Sequence, residues 1–258
     1  MKNFMGKVLF KISKFFLAKF GFNINLGSTN IQYPELNREE IEFLQEVYKS
    51  SLTMTSFDSL VTLVIACKYV VHSEVQGDFV EAGVWRGGSS IVAKKFLPGE
   101  RNFYLYDTYK GMTEPSIHDY RVGSNSSAET LSRWKQLDKK SHNDWVFASL
   151  SEVKNNFNQF DLLDNNLVFV EGDVRETLTL ENIPKKICVL RLDTDFYDST
   201  LIELQVLWPL LSPGGVLILD DYGHWDGARR AVDEYFELNN ENLMVPIAGG
   251  GGRIILKR

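Results

Sequence analysis

Leu190-Arg191-Leu192-Asp193-Thr194-Asp195-Phe196-Tyr197-Asp198-Ser199-Thr200 closes an apolar run that starts at Ile187 and breaks abruptly into acids. A strand rich in Val, Ile and Leu that ends in aspartate reads as the middle of a parallel sheet. Its carboxylates then sit at the C-terminal edge, where open α/β sheets take their ligands. A second stretch of the same kind follows: Gly214-Gly215-Val216-Leu217-Ile218-Leu219-Asp220-Asp221-Tyr222-Gly223. If the two strands are neighbours, Asp193, Asp220 and Asp221 converge. Like charges that close repel unless a cation neutralises them, and hard oxygen donors suit Mg²⁺. One such acid more often merely caps the next helix or turn; two strands together favour the metal.

Working outward, strand and helix signals alternate. Residues 77–83 read as the first strand, followed by the glycine-rich turn Val84-Trp85-Arg86-Gly87-Gly88-Ser89-Ser90 and a helix to Leu97. Glycines let a backbone approach a ligand, and the helix N-terminus offers free N–H groups. Gly83 and Gly87-Gly88 stand too far apart for a dinucleotide fingerprint, which counts against NAD. The next strand, 102–106, ends in Asp107, an acid placed to accept bonds from ribose hydroxyls. Helices are expected at 37–49 and 149–160, opened by capping boxes (Asn37 with Glu40, Ser149 with Glu152), at 57–75, 128–137 and 227–238, and at 199–211, stopped by Ser212-Pro213-Gly214, with further strands at 167–170 and up to Asp220. Residues 243–247 and 253–256 read as a terminal hairpin. The pattern is α/β, a doubly wound sheet.

Composition narrows the function. At 258 residues and 44% hydrophobic the chain has enough apolar side chains for a sizeable core, and its net charge of −6 gives no argument for nucleic acid. Cys67 and Cys188 are isolated, which fits a reducing cytoplasm and neither a disulfide framework nor zinc. Residues 1–20 invert the charge balance, with Lys2, Lys7, Lys11, Lys14 and Lys19 and no acid. On a helix they form a basic amphipathic surface, too interrupted to span a bilayer. That face suits either an anionic membrane surface or a subunit contact in a homo-oligomer. The regions are thus 1–33, basic helix and linker; 34–76, a helical cap or lid; and 77–258, the main domain. Within the last, 108–148 is a long polar insertion of the kind that binds acceptors, and it holds His118 and His142.

The motifs from Gly77 to Ser89, from Leu190 to Thr200, Leu211-Ser212-Pro213-Gly214-Gly215 and Asp220-Asp221-Tyr222-Gly223 together resemble the macrocin O-methyltransferase family. The likeness also takes in Met54-Thr55-Ser56 and parts of 155–164. It implies a class I methyltransferase, Rossmann-like, with a seven-stranded sheet, that transfers methyl from S-adenosylmethionine to a sugar hydroxyl with Mg²⁺. It implies that Glu81, Gly83, Gly87 and the turn to Ser90 hold the methionine part of the cofactor. Thr55 and Ser56 then reach its carboxylate, Asp107 its ribose and Asp173 its adenine side. Mg²⁺ falls on Asp193, Asp220 and Asp221, and His142 occupies the region of the family's general base, with His118 as fallback. The acceptor is a small glycoside, a polysaccharide or a glycolipid, with peripheral contact at the inner membrane face through 1–20. Two alternatives use the same residues: a metal-dependent hydrolase, and a non-catalytic protein of this fold that only binds.

Overall fold

The computed structural model describes residues 33–124, 126–238, 244–247 and 251–258. The chain divides into Met1–Leu36 and Asn37–Arg258, and the second unit carries all the elements below. The basic amphipathic helix expected at 1–20 lies outside the described residues.

Seven strands form one sheet in the order β3-β2-β1-β4-β5-β7-β6. They are β1 (Asp78–Ala82), β2 (Phe103–Asp107), β3 (Leu167–Glu171), β4 (Ile187–Leu192), β5 (Leu211–Leu219), β6 (Met244–Pro246) and β7 (Arg253–Leu256). The first five pair in parallel, while β7 runs antiparallel to β5 and β6. The chain order reverses between β1 and β4, the switch point where such sheets bind ligands. All six residues of β4 are buried, as its near-continuous apolar run requires. Each fully buried Val, Leu or Ile there contributes about 1.5–3 kcal/mol. The central core joins Val80, Leu190, Leu192, Leu217 and Leu219 to Leu204, Leu207, Trp208 and Phe236 of the covering helices.

The helices are α1 (Arg38–Lys49), α2 (Phe57–His72), α3 (Gly88–Phe96), α4 (Ser127–Leu137), α5 (Leu150–Gln159), α6 (Val174–Thr177), α7 (Tyr197–Leu207) and α8 (Asp226–Leu238). Asn37 and Glu40 close the capping box that opens α1, and Ser149 caps α5 by accepting from Glu152 N–H. The helix expected at 199–211 is displaced. It begins at Tyr197, ends at Leu207 and gives a 3₁₀ turn at Trp208–Leu210. Its N-cap residue, Phe196, has no side-chain acceptor; Asp119 Oδ1 from the insertion takes the Tyr197 N–H at 2.7 Å instead. Ser212-Pro213-Gly214, expected as a helix stop, lies inside β5. The pairing jumps there from Ile187–Leu211 to Val189–Val216, so the proline and glycine occupy a bulge.

Candidate active site

A cleft of about 1020 Å³ opens at the C-terminal edge of β1, β2, β4 and β5. On one side of it the two acid-bearing strand ends meet. One carboxylate oxygen from each of Asp193, Asp220 and Asp221 falls within 4.8 Å of the others. Beneath them lies Arg191, 3% exposed in the middle of the apolar strand. Its Nη1 donates to Glu81 Oε1 at 2.6 Å and Asp193 Oδ2 at 2.7 Å, and its Nη2 lies 2.8 Å from Asp220 Oδ1. Burial opposes the Arg191 charge, but Asp193, Asp220 and Glu81 override it and hold the guanidinium ionised. Removing one partner from so buried a cluster leaves an uncompensated charge.

One arginine cannot balance these acids. Burial pushes Asp193 well up from the ordinary carboxylate range; Arg191 opposes that, while Asp220, Asp221 and Glu81 repel. Burial likewise raises Asp221, with Asp195 and Asp220 adding repulsion. Arg191 engages a single oxygen of Asp193 and of Asp220, leaving a second on each. Excess negative charge and oxygen-only donors gathered within 4.8 Å of one another fit Mg²⁺. Asp195 lines the same cleft in a left-handed conformation (φ 68°), its N–H donated to Asp221 Oδ2 at 3.1 Å. Burial and the Asp193 charge push its carboxyl up to about 7.

The glycine turn forms the other side. Gly83 has φ 85°, and a Cβ there would meet the Asp193 carbonyl oxygen. Only glycine lets the cofactor-side turn close against the acid-bearing strand. Gly87 has φ 88° and caps α3, where an added Cβ would press on Phe157 and Val153. Gly83, Val84, Trp85, Arg86 and Ser89 line the cleft. Glu81 and Ser90 lie beneath it: Ser90 Oγ donates to Glu81, and Glu81 is 1% exposed against Arg191. Asp107 lines the cleft with its carboxylate already employed. Its Oδ2 accepts the N–H groups of Val84 and Trp85, both at 2.8 Å, and its Oδ1 that of Tyr109 at 2.7 Å. Burial still raises it above the ordinary value against those three donors. Asp173 caps α6 and is held by Arg175, which brings it below the ordinary range despite burial. Thr55 gives its hydroxyl to Asp220 Oδ1 at 3.0 Å, and Ser56 caps α2 by accepting from Ser59 N–H.

A family model described as Macrocin-O-methyltransferase (TylF) matches residues 14–248. The chain belongs to that family. It is an S-adenosylmethionine-dependent O-methyltransferase, and the hydrolase alternative falls with that assignment. Over 188 residues, 71% of its length and 67% of the relative's, it is 36% identical to the 8-demethyl-8-(2,3-dimethoxy-alpha-L-rhamnosyl)-tetracenomycin-C 4'-O-methyltransferase of Streptomyces olivaceus. It is 30% identical over 187 residues, 71% of its length and 69% of the relative's, to the mycinamicin III 3''-O-methyltransferase of Micromonospora griseorubida. Among solved structures it is similar to the O-methyltransferase NovP, with a TM-score of 0.67 and 30% identity over 80% of this chain and 81% of that one. The Rossmann-like, seven-stranded sheet of this macrocin-type methyltransferase is therefore the family's fold.

Neither histidine singled out from the sequence lines the cleft. His142 Nε2 contacts Asp144 Oδ1 and its Nδ1 contacts Ser141 Oγ, both at 3.0 Å, while its ring lies against Phe147. His118 lies 3.0 Å from Arg230 and packs on Tyr197. The histidine that does line it is His224, three residues after Asp221. Sequence reasoning passed over Arg191 as well, although a lone cation inside a buried strand is itself a signal that buried acids await it. Asp195 carried a signal too, as an acid two residues past Asp193. Asp119 carried none, because its partner Tyr197 is distant in the chain.

Within α7, Glu203 is fully buried and neither carboxylate oxygen has a hydrogen-bond partner among the described residues. Burial drives its pKa well up, which holds it neutral. The insertion meets α8 in an aromatic cluster of Trp145, Phe196 and Trp225, packed with Met112, Trp134, Leu137 and Val146.

Proposed function

We propose that this enzyme methylates a sugar hydroxyl, with Mg²⁺ on Asp193, Asp220 and Asp221 and with Asp195 receiving the proton. The observation that carries this is the convergence of those acids on the same cleft as the glycine turn. A sugar hydroxyl is a poor nucleophile until its proton is lost. Bound Mg²⁺ supplies Lewis-acid chemistry that lowers the hydroxyl pKa and orients the oxygen. Arg191 and Glu81 hold Asp193 and Asp220 in register; Thr55 fastens the segment between α1 and α2 to Asp220, which lets 34–76 act as a lid. Gly83, Gly87 and Asp107 shape the turn for the methionine part and ribose of S-adenosylmethionine, Ser56 lies near its carboxylate, and Asp173 borders the adenine side. Asp195 serves as proton acceptor because it lines the cleft beside the acid group, with a carboxyl raised toward neutrality. The Streptomyces olivaceus relative is named for a rhamnosyl-bearing substrate, which supports a glycosyl acceptor here.

The test is methyl transfer to a panel of glycosides with and without EDTA. Activity is expected only with a divalent ion. Asp193→Ala should lose at least about 10²–10³-fold in kcat while S-adenosylmethionine binding persists. Full activity in excess chelator overturns the metal assignment. The surface role of residues 1–20 rests on their charge pattern; salt-sensitive co-sedimentation with anionic vesicles, lost on their removal, checks it.

A further inference from the structure

We propose that the sugar acceptor arrives joined to a phosphate or diphosphate, whose oxygens are received by Arg121 and Arg133. This rests on the reading of the acid wall as the reacting centre and adds the chemistry of the rest of the acceptor.

Four arginines line the cleft: Arg86, Arg121, Arg133 and Arg191. Arg191 is consumed by Glu81, Asp193 and Asp220, and Arg86 lies 2.9 Å from Glu152 Oε1. Arg121 and Arg133 have no acid within 4.0 Å among the described residues, in a cleft otherwise rich in carboxylates. Both come from the insertion 108–148, the segment whose length and polarity suit acceptor binding.

Both are also held in place. The Arg121 guanidinium carbon stands 4.6 Å above the Trp225 ring and that of Arg133 stands 4.4 Å above Trp145. The two indoles adjoin, with ring centroids 5.9 Å apart. Stacking uses a guanidinium's face and leaves its N–H edges to a ligand, in the fork geometry that matches phosphate oxygens two at a time. The same contacts argue against a wholly neutral glycoside. Trp145 and Trp225 are 6% and 3% exposed beneath the two arginines, so their faces are not open to stack on a sugar ring. What this wall presents is paired positive charge. Arg121 and Asp195 line the same cleft. An anionic acceptor entering a cleft with four aspartates beside its reacting hydroxyl needs such a counterweight.

The test uses the full chain saturated with S-adenosylhomocysteine, in EDTA so that no divalent ion on the acids binds the probe. Calorimetric titration with inorganic pyrophosphate, UDP and geranyl diphosphate reads the arginines directly. Binding of at least one diphosphate is expected, weakened about tenfold by Arg121→Gln and by Arg133→Gln singly, and further by both. Arg121→Lys keeps the charge and loses the fork, and should fall between. UDP tighter than pyrophosphate indicates a nucleotide-linked sugar; geranyl diphosphate tighter indicates a lipid-linked one. Failure of the parent to bind any of the three, or equal binding by parent and double variant, overturns the proposal. S-adenosylhomocysteine affinity, unchanged in each variant, shows the fold is intact. If the parent itself does not bind that compound, the methyl-transfer reading has failed and not the arginine assignment.

Discussion

Asp107 ends β2 and the aspartates of the Mg²⁺ proposal end β4 and β5, all on the same edge of one sheet, yet the protein uses them in opposite ways. Asp107 is surrounded by donors: three backbone N–H groups aim at its two oxygens. Its charge is spent within the chain, holding the glycine turn against the strand. Of Asp193, Asp195, Asp220 and Asp221, only Asp193 and Asp220 reach Arg191, and the acids repel one another. Their charge is in excess, and the proposed Mg²⁺ would relieve it. An acid at a strand end is thus a clamp or a binding site according to how many donors the fold supplies.

The largest expected effect is on catalysis. Asp195→Asn should cost about 10²–10⁴-fold in kcat, the usual cost of losing a general base, while His142→Ala leaves the rate nearly unchanged. In the parent, the rate should fall as acidification protonates Asp195, with the midpoint below about 7 once a cation offsets the Asp193 charge. Rate–pH profiles of the two variants decide; a large loss in His142→Ala alone would return the base to that histidine.

Next in size is Arg191→Met. It strands Glu81, Asp193 and Asp220 without their counter-charge and should destabilise the fold by about 3–5 kcal/mol in urea unfolding. Added Mg²⁺ should recover part of that loss by binding the native state. An unchanged midpoint would mean that the acids need no internal counter-ion.

The comparison is sharpest in the sign of two neutralising substitutions. Asp107→Asn turns an NH₂ group toward a backbone donor and should destabilise by about 1–3 kcal/mol. Asp221→Asn removes repulsion and should raise the melting temperature of the metal-free protein even as it abolishes metal-dependent activity. Shifts of the same sign in both would erase the distinction between the two sites.

The smallest effect concerns Glu203, the buried acid with no partner. Its native pKa is raised above the unfolded value of about 4.3, so its stabilising contribution is complete below that pH and lost as pH rises toward the native value. Glu203→Gln should match the parent near pH 4 and exceed it at pH 7. The parent's urea midpoint should fall relative to the variant's as pH rises from 4 toward 7. Parallel stability curves would show that Glu203 is ionised and paired in the native state.

The sheet, its ligand edge and the positions of the acids are legible in the chain alone. A buried parallel strand must be apolar throughout, and its polar end is a local signal that needs no partner to be read. The capping residues Asn37 and Ser149 were legible for the same reason, since each helix start is satisfied within a few residues. What those groups do depends on their neighbours in space. Arg191 bound to Glu81 and Asp220, the Val84 and Trp85 donors on Asp107, Asp119 capping α7 and Arg121 over Trp225 all join residues brought together by the fold. The same holds for the segment 212–215, whose Pro and Gly read as a helix stop and instead form a bulge in β5. Charge balance and exposure are sums over neighbours in space, and a chain read in order cannot supply them.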